Sequence, residues 1–323
     1  MAVYTVVTDD EARVLIQRLG LGPLTGSLRG IHPGIENSNY YVDSARGAYV
    51  LTVFERLDAT QLPYYLLLMK HLAGRGIPVP DPQANADGTM LFELHGKPAA
   101  LLTRLPGSHR LAPELHHVEQ VGAMLARLHL AAREFPHQQP HLRGLDWCAA
   151  TVPVVLPHVD AERATLLREE LDFQQAAAAS AMGQVLPRGP IHADLFRDNV
   201  MFDGLPGHER LTGVLDFFFA GTDAWGLDVA ICLNDWCTDL ASGRLDEARA
   251  AAFVAAYARA RPLTPAEHRL MPALLRAAAL RFWLSRLWDL HLPRDAALLQ
   301  AHDPAHFERV LRERIATPWH PPQ

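Results

Sequence analysis

Pro106-Gly107 separates two textures, and that change constrains the fold more than any other feature of the chain. Before it, short β-type runs alternate with turn signals; after it, apolar residues recur at helical spacing. Residues 39–43 and 48–54 read as strands joined by the turn Ser44-Ala45-Arg46-Gly47, and 90–94 and 99–105 as a second pair behind Asp87-Gly88. A helix over 10–19 closes at Gly20, and one over 62–73 closes at Gly74 and Gly76. Beyond residue 107, Val118, Val121, Leu125 and Leu128 mark one buried helical face, and 162–181, 245–260 and 267–290 are further helices. The last is apolar on nearly every side around Phe282, Trp283, Leu287 and Trp288, as in a helix inside a bundle. The expected class is α+β, with a small antiparallel-sheet region over 1–104 and a larger, mostly helical one over 105–323.

Composition narrows the function. A hydrophobic fraction of 49% in 323 residues supports sizeable cores and excludes disorder as the main state. The net charge of −6 argues against a nucleic-acid partner or an anionic membrane surface. Three cysteines, none in a C-x-x-C pair, fit a reducing cytoplasm better than a disulfide framework. No run is long and apolar enough for a transmembrane helix. Among 17 histidines there is no H-E-x-x-H, and His116 and His117, being adjacent, are expected to face different ways on a helix. Only two of the 30 basic residues, Lys70 and Lys97, are lysine, so any chemistry that needs a lysine has two places to find one.

A β-type island over 190–219 interrupts the helices and carries the chemistry. It reads P-I-H-A-D-L-F-R-D-N-V-M-F-D-G, then L-T-G-V-L-D-F-F. Residues 200–202 and 212–215 suggest an antiparallel ribbon, which sets Asn199, before one strand, beside Asp216, after the other. An amide oxygen next to a carboxylate suits Mg²⁺, which takes its remaining ligands from water and phosphates. Asp194, five residues before Asn199, is placed to accept a proton from an attacking hydroxyl. His192 reads as structural.

His192-Ala193-Asp194, then Asn199, then Asp216-Phe217 match the kinase catalytic loop H-R-D-x-x-x-x-N and its metal-binding D-F. Ala193 replaces the arginine of protein kinases, and no A-P-E follows Asp216. The chain therefore resembles the aminoglycoside phosphotransferase/choline kinase group, which has a protein-kinase-like bilobal fold. Further motifs run along nearly the whole chain: G-I-H-P-G-I-E-N-S-N-Y, Y-V-L-T-V-F-E, H-L-A-G-R-G-I-P-V-P, L-D-V-A-I-C-L-N-D-W-C and A-L-R-F-W-L-S-R-L. On the first and the last two of these, it is similar within that group to the kinase-like homoserine kinases of threonine biosynthesis. The resemblance implies an ATP- and Mg²⁺-dependent enzyme that phosphorylates the hydroxyl of L-homoserine.

The same resemblance assigns sites. Gly30 and Gly34 would shape a lid over the ATP phosphates, with Asn37 at its end, and Leu102 and Thr103 would lie in the hinge whose backbone pairs with adenine. Thr52 stands where most kinase-like folds carry the phosphate-binding lysine, and the helix over 62–73 contains no glutamate to pair with one. Homoserine is a zwitterion, so its site needs a cation for the carboxylate and an anion for the ammonium. Arg197, Arg281 and Arg286 are the candidate cations; Asp223, Asp235 and Asp239 are the candidate anions. Asp228 reads as a structural fastening of the helix start below the metal loop. Two alternatives remain at this stage. One is a choline, ethanolamine or aminoglycoside kinase, with Trp225, Trp236, Trp283 and Trp288 available for an aromatic cage. The other is a degenerate kinase fold that only binds nucleotide.

Overall fold

The computed structural model describes residues 4–31, 37–292 and 302–322. By its contacts the chain divides into two units, Met1–Gly107 with Thr212–Phe218, and Ser108–Leu211 with Phe219–Gln323.

The first unit holds α1 (Asp9–Arg18), β1 (Arg29–Gly30), β2 (Asn37–Ser44), β3 (Gly47–Phe54), α2 (Leu62–Ala73), β4 (Phe92–Leu94) and β5 (Lys97–Thr103). Thr8 and Glu11 start α1 through a reciprocal pair of side-chain to backbone hydrogen bonds. The strands form one antiparallel sheet in the order β1-β2-β3-β5-β4. Strand alternation sorts its side chains onto two faces. Tyr40, Val42, Tyr49, Leu51, Val53, Ala99 and Leu101 pack with Leu15 and Ile16 of α1 in one core. On the opposite face the register aligns Asn39, Thr52 and Ala100, with Val50 and Leu102 two positions along. β4 and β5 turn at His95-Gly96, whose φ values of 54° and 73° are the positive pair that a two-residue type I′ turn requires. Thr212–Phe218 joins this unit because Thr212 Oγ1 donates to Pro106 O (2.6 Å) and Val214 N–H to Pro78 O (2.8 Å). Phe218 also packs edge-on against Phe54 and Tyr65.

The second unit is built from α3 (Leu115–Ala132), α4 (Leu145–Val155), α5 (Ala161–Ala179), α6 (Ala181–Gln184), β6 (Arg188–Ile191) and β7 (Val200–Asp203). After β8 (Arg210–Val214), which pairs with β7, come β9 (Gly221–Ala224), α7 (Trp225–Trp236), α8 (Glu247–Ala258), α9 (Pro265–His291) and α10 (Ala305–Ala316). α9 is the central helix and packs on α4, α5, α7 and α10. Every residue from 278 to 284 is buried, in keeping with its all-round apolar sequence. α3 and α8 approach most closely at Gly122, where a Cβ would lie 2.4 Å from the Phe253 carbonyl oxygen, so only glycine fits. β6 pairs with β9, a strand just past the expected end of the β-type island at 219. Cys148, Cys232 and Cys237 are buried free thiols. Among the described residues no helix is long and apolar enough to cross a membrane.

Candidate active site

The segment 192–199 links β6 to β7 and takes its shape from hydrogen bonds rather than from regular structure. Ala193 sits at φ 64°, a left-handed conformation that a Cβ disfavours, so the surroundings must hold it there. They do so through Asp228, on the first turn of α7, whose Oδ2 accepts the His192 N–H and Oδ1 the Ala193 N–H, each at 2.8 Å. His192 Nδ1 then accepts the Asp194 N–H (3.2 Å). One helical turn further, Cys232 Sγ lies 3.6 Å from Leu195 O, and Trp236 Nε1 donates to the same carbonyl at 2.9 Å. Asp235 accepts the Arg197 N–H (2.8 Å). Positions 228, 232, 235 and 236 share one face of a helix, so the L-D-V-A-I-C-L-N-D-W-C run is a single clamp on the loop. Asp228 is thus a fastening, as expected, but of the loop before Asp194.

Behind the clamp lies a buried polar row. Arg261 Nη1 donates to the Tyr257 hydroxyl (3.0 Å), which donates to His129 Nδ1 (2.7 Å), and His129 Nε2 donates to Asp228 Oδ2 (3.0 Å). Burial pushes Asp228 upward, but hydrogen bonding to His129 and the neighbouring imidazoles outweigh it and hold the carboxyl below its ordinary range. Burial holds His129 below its usual value against the pull of Asp228. The unfolded chain therefore takes up that proton first, near pH 6.5. Stability from this group is full above that pH and is lost as pH falls towards the folded pKa. His129→Gln, which keeps a donor and an acceptor, should flatten the pH 5–7 limb of the unfolding free energy by up to about 1.4 kcal/mol per pH unit. Denaturant titrations at several pH values measure this, and an unchanged slope would place the acid sensitivity elsewhere.

Asp194 itself is partly exposed and lies beside Arg281 of α9, with Oδ1 and Nη1 3.7 Å apart. Asn199 Nδ2 donates to Asp194 O (2.8 Å) and Oδ2 (3.2 Å), which fixes the amide by its nitrogen rather than by Oδ1. Asp216, just after β8, belongs to the first unit and is another non-glycine residue with positive φ, 58°.

Four of the six substrate candidates separate into pairs. Arg197 and Asp235 engage each other, Nε to Oδ2 at 3.2 Å, and Arg197 also donates to Leu111 O. Asp223 and Arg281, by contrast, line one cavity of about 470 Å³ with His141, Arg143 and Cys148. There Asp223 accepts from His141 Nδ1 (3.1 Å) and from Arg188 (2.7 Å). Burial pushes the Cys148 thiol up to about 12, so a neutral thiol faces the cavity. Arg286 donates to Asp303 O, and Asp239 accepts from Ser242 in a surface turn. His141 is the residue that sequence reasoning missed; it comes from a polar, Pro-containing loop with no motif around it.

In the first unit, Thr52 and Leu102 lie on the sheet face away from the α1 core, and Thr52 Oγ1 donates to Asn39 Oδ1 (2.7 Å). Asn37 pairs with Phe54, and Gly30 with Tyr40. Thr103 is held by Asp81, which accepts its N–H at 3.0 Å and donates to its hydroxyl at 2.8 Å. Gly34 lies outside the described residues. Both lysines are in ion pairs: Lys70 with Asp81 (3.0 Å) and Lys97 with Glu55.

His116 and His117 correct an expectation. Their rings lie 3.8 Å apart and both converge on Glu209, because they occupy the first turn of α3 beside the segment carrying that residue. The three could meet on a metal ion. However, His117 Nδ1 already accepts the Glu114 N–H, so its other nitrogen carries the proton, and Arg110 supplies positive charge to Glu209.

A model of the phosphotransferase enzyme family matches residues 27–263, and the chain belongs to that family. An amicoumacin kinase solved with AMP-PNP, Ca²⁺ and Ami superposes with a TM-score of 0.69, covering 94% of this chain and 93% of that one at 17% identity. The protein-kinase-like fold expected from the loop motif is thereby established. Within the family the chain is a member of the homoserine kinases. It is 59% identical over 319 residues to the homoserine kinase of Polaromonas naphthalenivorans (strain CJ2), covering 99% of each chain. It is 54% identical over 320 residues to that of Paraburkholderia phymatum, covering 98% of this chain and 99% of the relative.

Proposed function

We propose that the protein transfers the γ-phosphoryl group of ATP to the side-chain hydroxyl of L-homoserine, giving O-phospho-L-homoserine and ADP. The observation that carries this is identity above half, over nearly the full length, to homoserine kinases. In the step, the hydroxyl oxygen bonds to the γ-phosphorus, the bond from that phosphorus to the β–γ bridging oxygen breaks, and Asp194 takes the hydroxyl proton. The donor set suits a hard cation: Asn199 Oδ1 and the Asp216 carboxylate would hold Mg²⁺. When bound, that ion supplies charge neutralisation on the phosphate oxygens. Gly30, Gly34 and Asn37 would approach the phosphates, and Leu102 and Thr103 the adenine. Thr52 supplies no cation, so phosphate charge would fall either to Arg56, Lys70 or another nearby cation, or to the metal and backbone N–H groups alone. Three buried thiols suit a reducing cytoplasm, where the product would feed threonine biosynthesis.

Of the four tryptophans available for a cage, Trp236 and Trp283 are fully buried and Trp225 is buried with His129 stacked on it and Arg261 over its ring, which weighs against the choline alternative. A coupled ADP-release assay across homoserine, choline and kanamycin tests the proposal. Turnover of homoserine well above the others is expected; turnover of choline or kanamycin with homoserine inert would sink it.

A further inference from the structure

Arg281 is in an unusual electrostatic position. It is 5% exposed, and its guanidinium packs against Phe282 (3.7 Å to the ring centroid) and Phe219 (5.2 Å). Nη1 leans towards Asp194, whereas Nε and Nη2 are buried without any hydrogen-bond partner. Burying a guanidinium is costly unless its N–H groups are paired, and the fold itself pairs neither of these two nitrogens. They lie on one edge of the fork, the Nε–Nη2 edge, which matches the two oxygens of a carboxylate. The other candidates have partners of their own: Arg197 has Asp235 and Leu111 O, and Arg286 has Asp303 O.

We propose that the Nε–Nη2 edge of Arg281 holds the α-carboxylate of the acceptor, and that this contact makes the site select amino-acid alcohols over simple amino alcohols. The inference rests on the proposed homoserine reaction and deepens it. Geometry supports it from both ends. Arg281 lines the 470 Å³ cavity and also lies 3.7 Å from Asp194, so one side chain links the cavity to the proton acceptor. In extended homoserine the hydroxyl oxygen and the carboxylate carbon are about 5 Å apart, a span commensurate with the width of a guanidinium plus one contact. An acceptor could therefore place its hydroxyl at Asp194 and its carboxylate on the far edge of Arg281. An acceptor without a carboxylate would leave that edge orphaned, which is the situation in which a site rejects an analogue most strongly.

The test compares L-homoserine with 3-aminopropan-1-ol, its decarboxylated analogue, and with L-homoserine amide. The wild type should prefer homoserine over both by on the order of a hundredfold in kcat/KM. Arg281→Gln should bring the ratios close to one by losing homoserine activity. Arg281 also neighbours Asp194, so absolute rates for every acceptor will fall, and the ratio is the discriminating readout. If the variant lowers all three acceptors by one factor, Arg281 serves Asp194 or the transferring phosphoryl group, and the carboxylate proposal is overturned while the homoserine reading stands. A wild type that prefers aminopropanol overturns both. Should Arg281→Gln fail to fold, wild-type ratios near one would still overturn the proposal, and Arg281→Lys, which keeps the charge but not the fork, should give an intermediate preference.

Discussion

Asp194→Asn should lower kcat for homoserine by about three orders of magnitude, the middle of the range for a positioned general base. The substitution is nearly isosteric and keeps the backbone carbonyl that accepts from Asn199 Nδ2, so the loop should hold its path. What disappears is the capacity to take a proton and a charge 3.7 Å from Arg281. The KM for ATP should stay within a few-fold, while kcat and kcat/KM for homoserine fall together, as for a group that acts mainly in the transition state. Because a buried guanidinium loses its nearby anion, a modest fall in Tm is also expected, so rates belong well below the melting temperature. Wild-type kcat in this variant would remove Asp194 from the proton path.

Asp228→Ala carries the largest expected effect on stability. It orphans three buried donors at once: the His192 and Ala193 N–H groups and His129 Nε2. Breaking a buried, charge-assisted network from one side costs about 3–5 kcal/mol, which for a unit of this size is a Tm fall of roughly 10 °C. Activity should fall further than stability explains, because Ala193 would lose what holds it in the left-handed region and Asp194 would lose its aim. Asp228→Asn retains one acceptor oxygen and should be the milder variant in both respects. Thermal melts and kcat measured on the same preparations check this. An alanine variant with wild-type Tm would mean that water replaces the carboxylate and that the clamp is not structural.

Much of the catalytic loop was legible because its chemistry is local: Asp194 and Asn199 lie five residues apart and bond to each other directly. The helix over 62–73 was legible as well, since its apolar pattern stops at Gly74 and Gly76. Other elements were obscured for identifiable reasons. α4 carries Thr151, Val152, Val154 and Val155 with Pro153 among them, a β-branched run that propensity reads as extended. β9 is four residues of small and polar type, G-T-D-A, and exists because β6 offers it an edge. His116 and His117 were read from angular separation alone, which ignores how far two imidazoles can bend towards one glutamate. Partner choice was the least legible feature. Nothing in sequence spacing shows that Arg197 meets Asp235, 38 residues on, whereas Arg281 is left with two orphaned nitrogens.

The anchoring of the loop through Asp228 also governs when the site can exist during synthesis. The bonds that shape residues 192–194 span 36 residues to Asp228, 99 from there back to His129, and 128 from His129 to Tyr257. A ribosome makes the catalytic loop before it makes either α7 or α8. At roughly 5–20 residues per second the loop waits some seconds, unshaped, until its supports emerge. A chain terminated between the loop and α7 would contain Asp194 and Asn199 yet have nothing to aim them. Fragments that end before α7 are therefore expected to be inert, with activity expected only of chains whose downstream helices have left the ribosome.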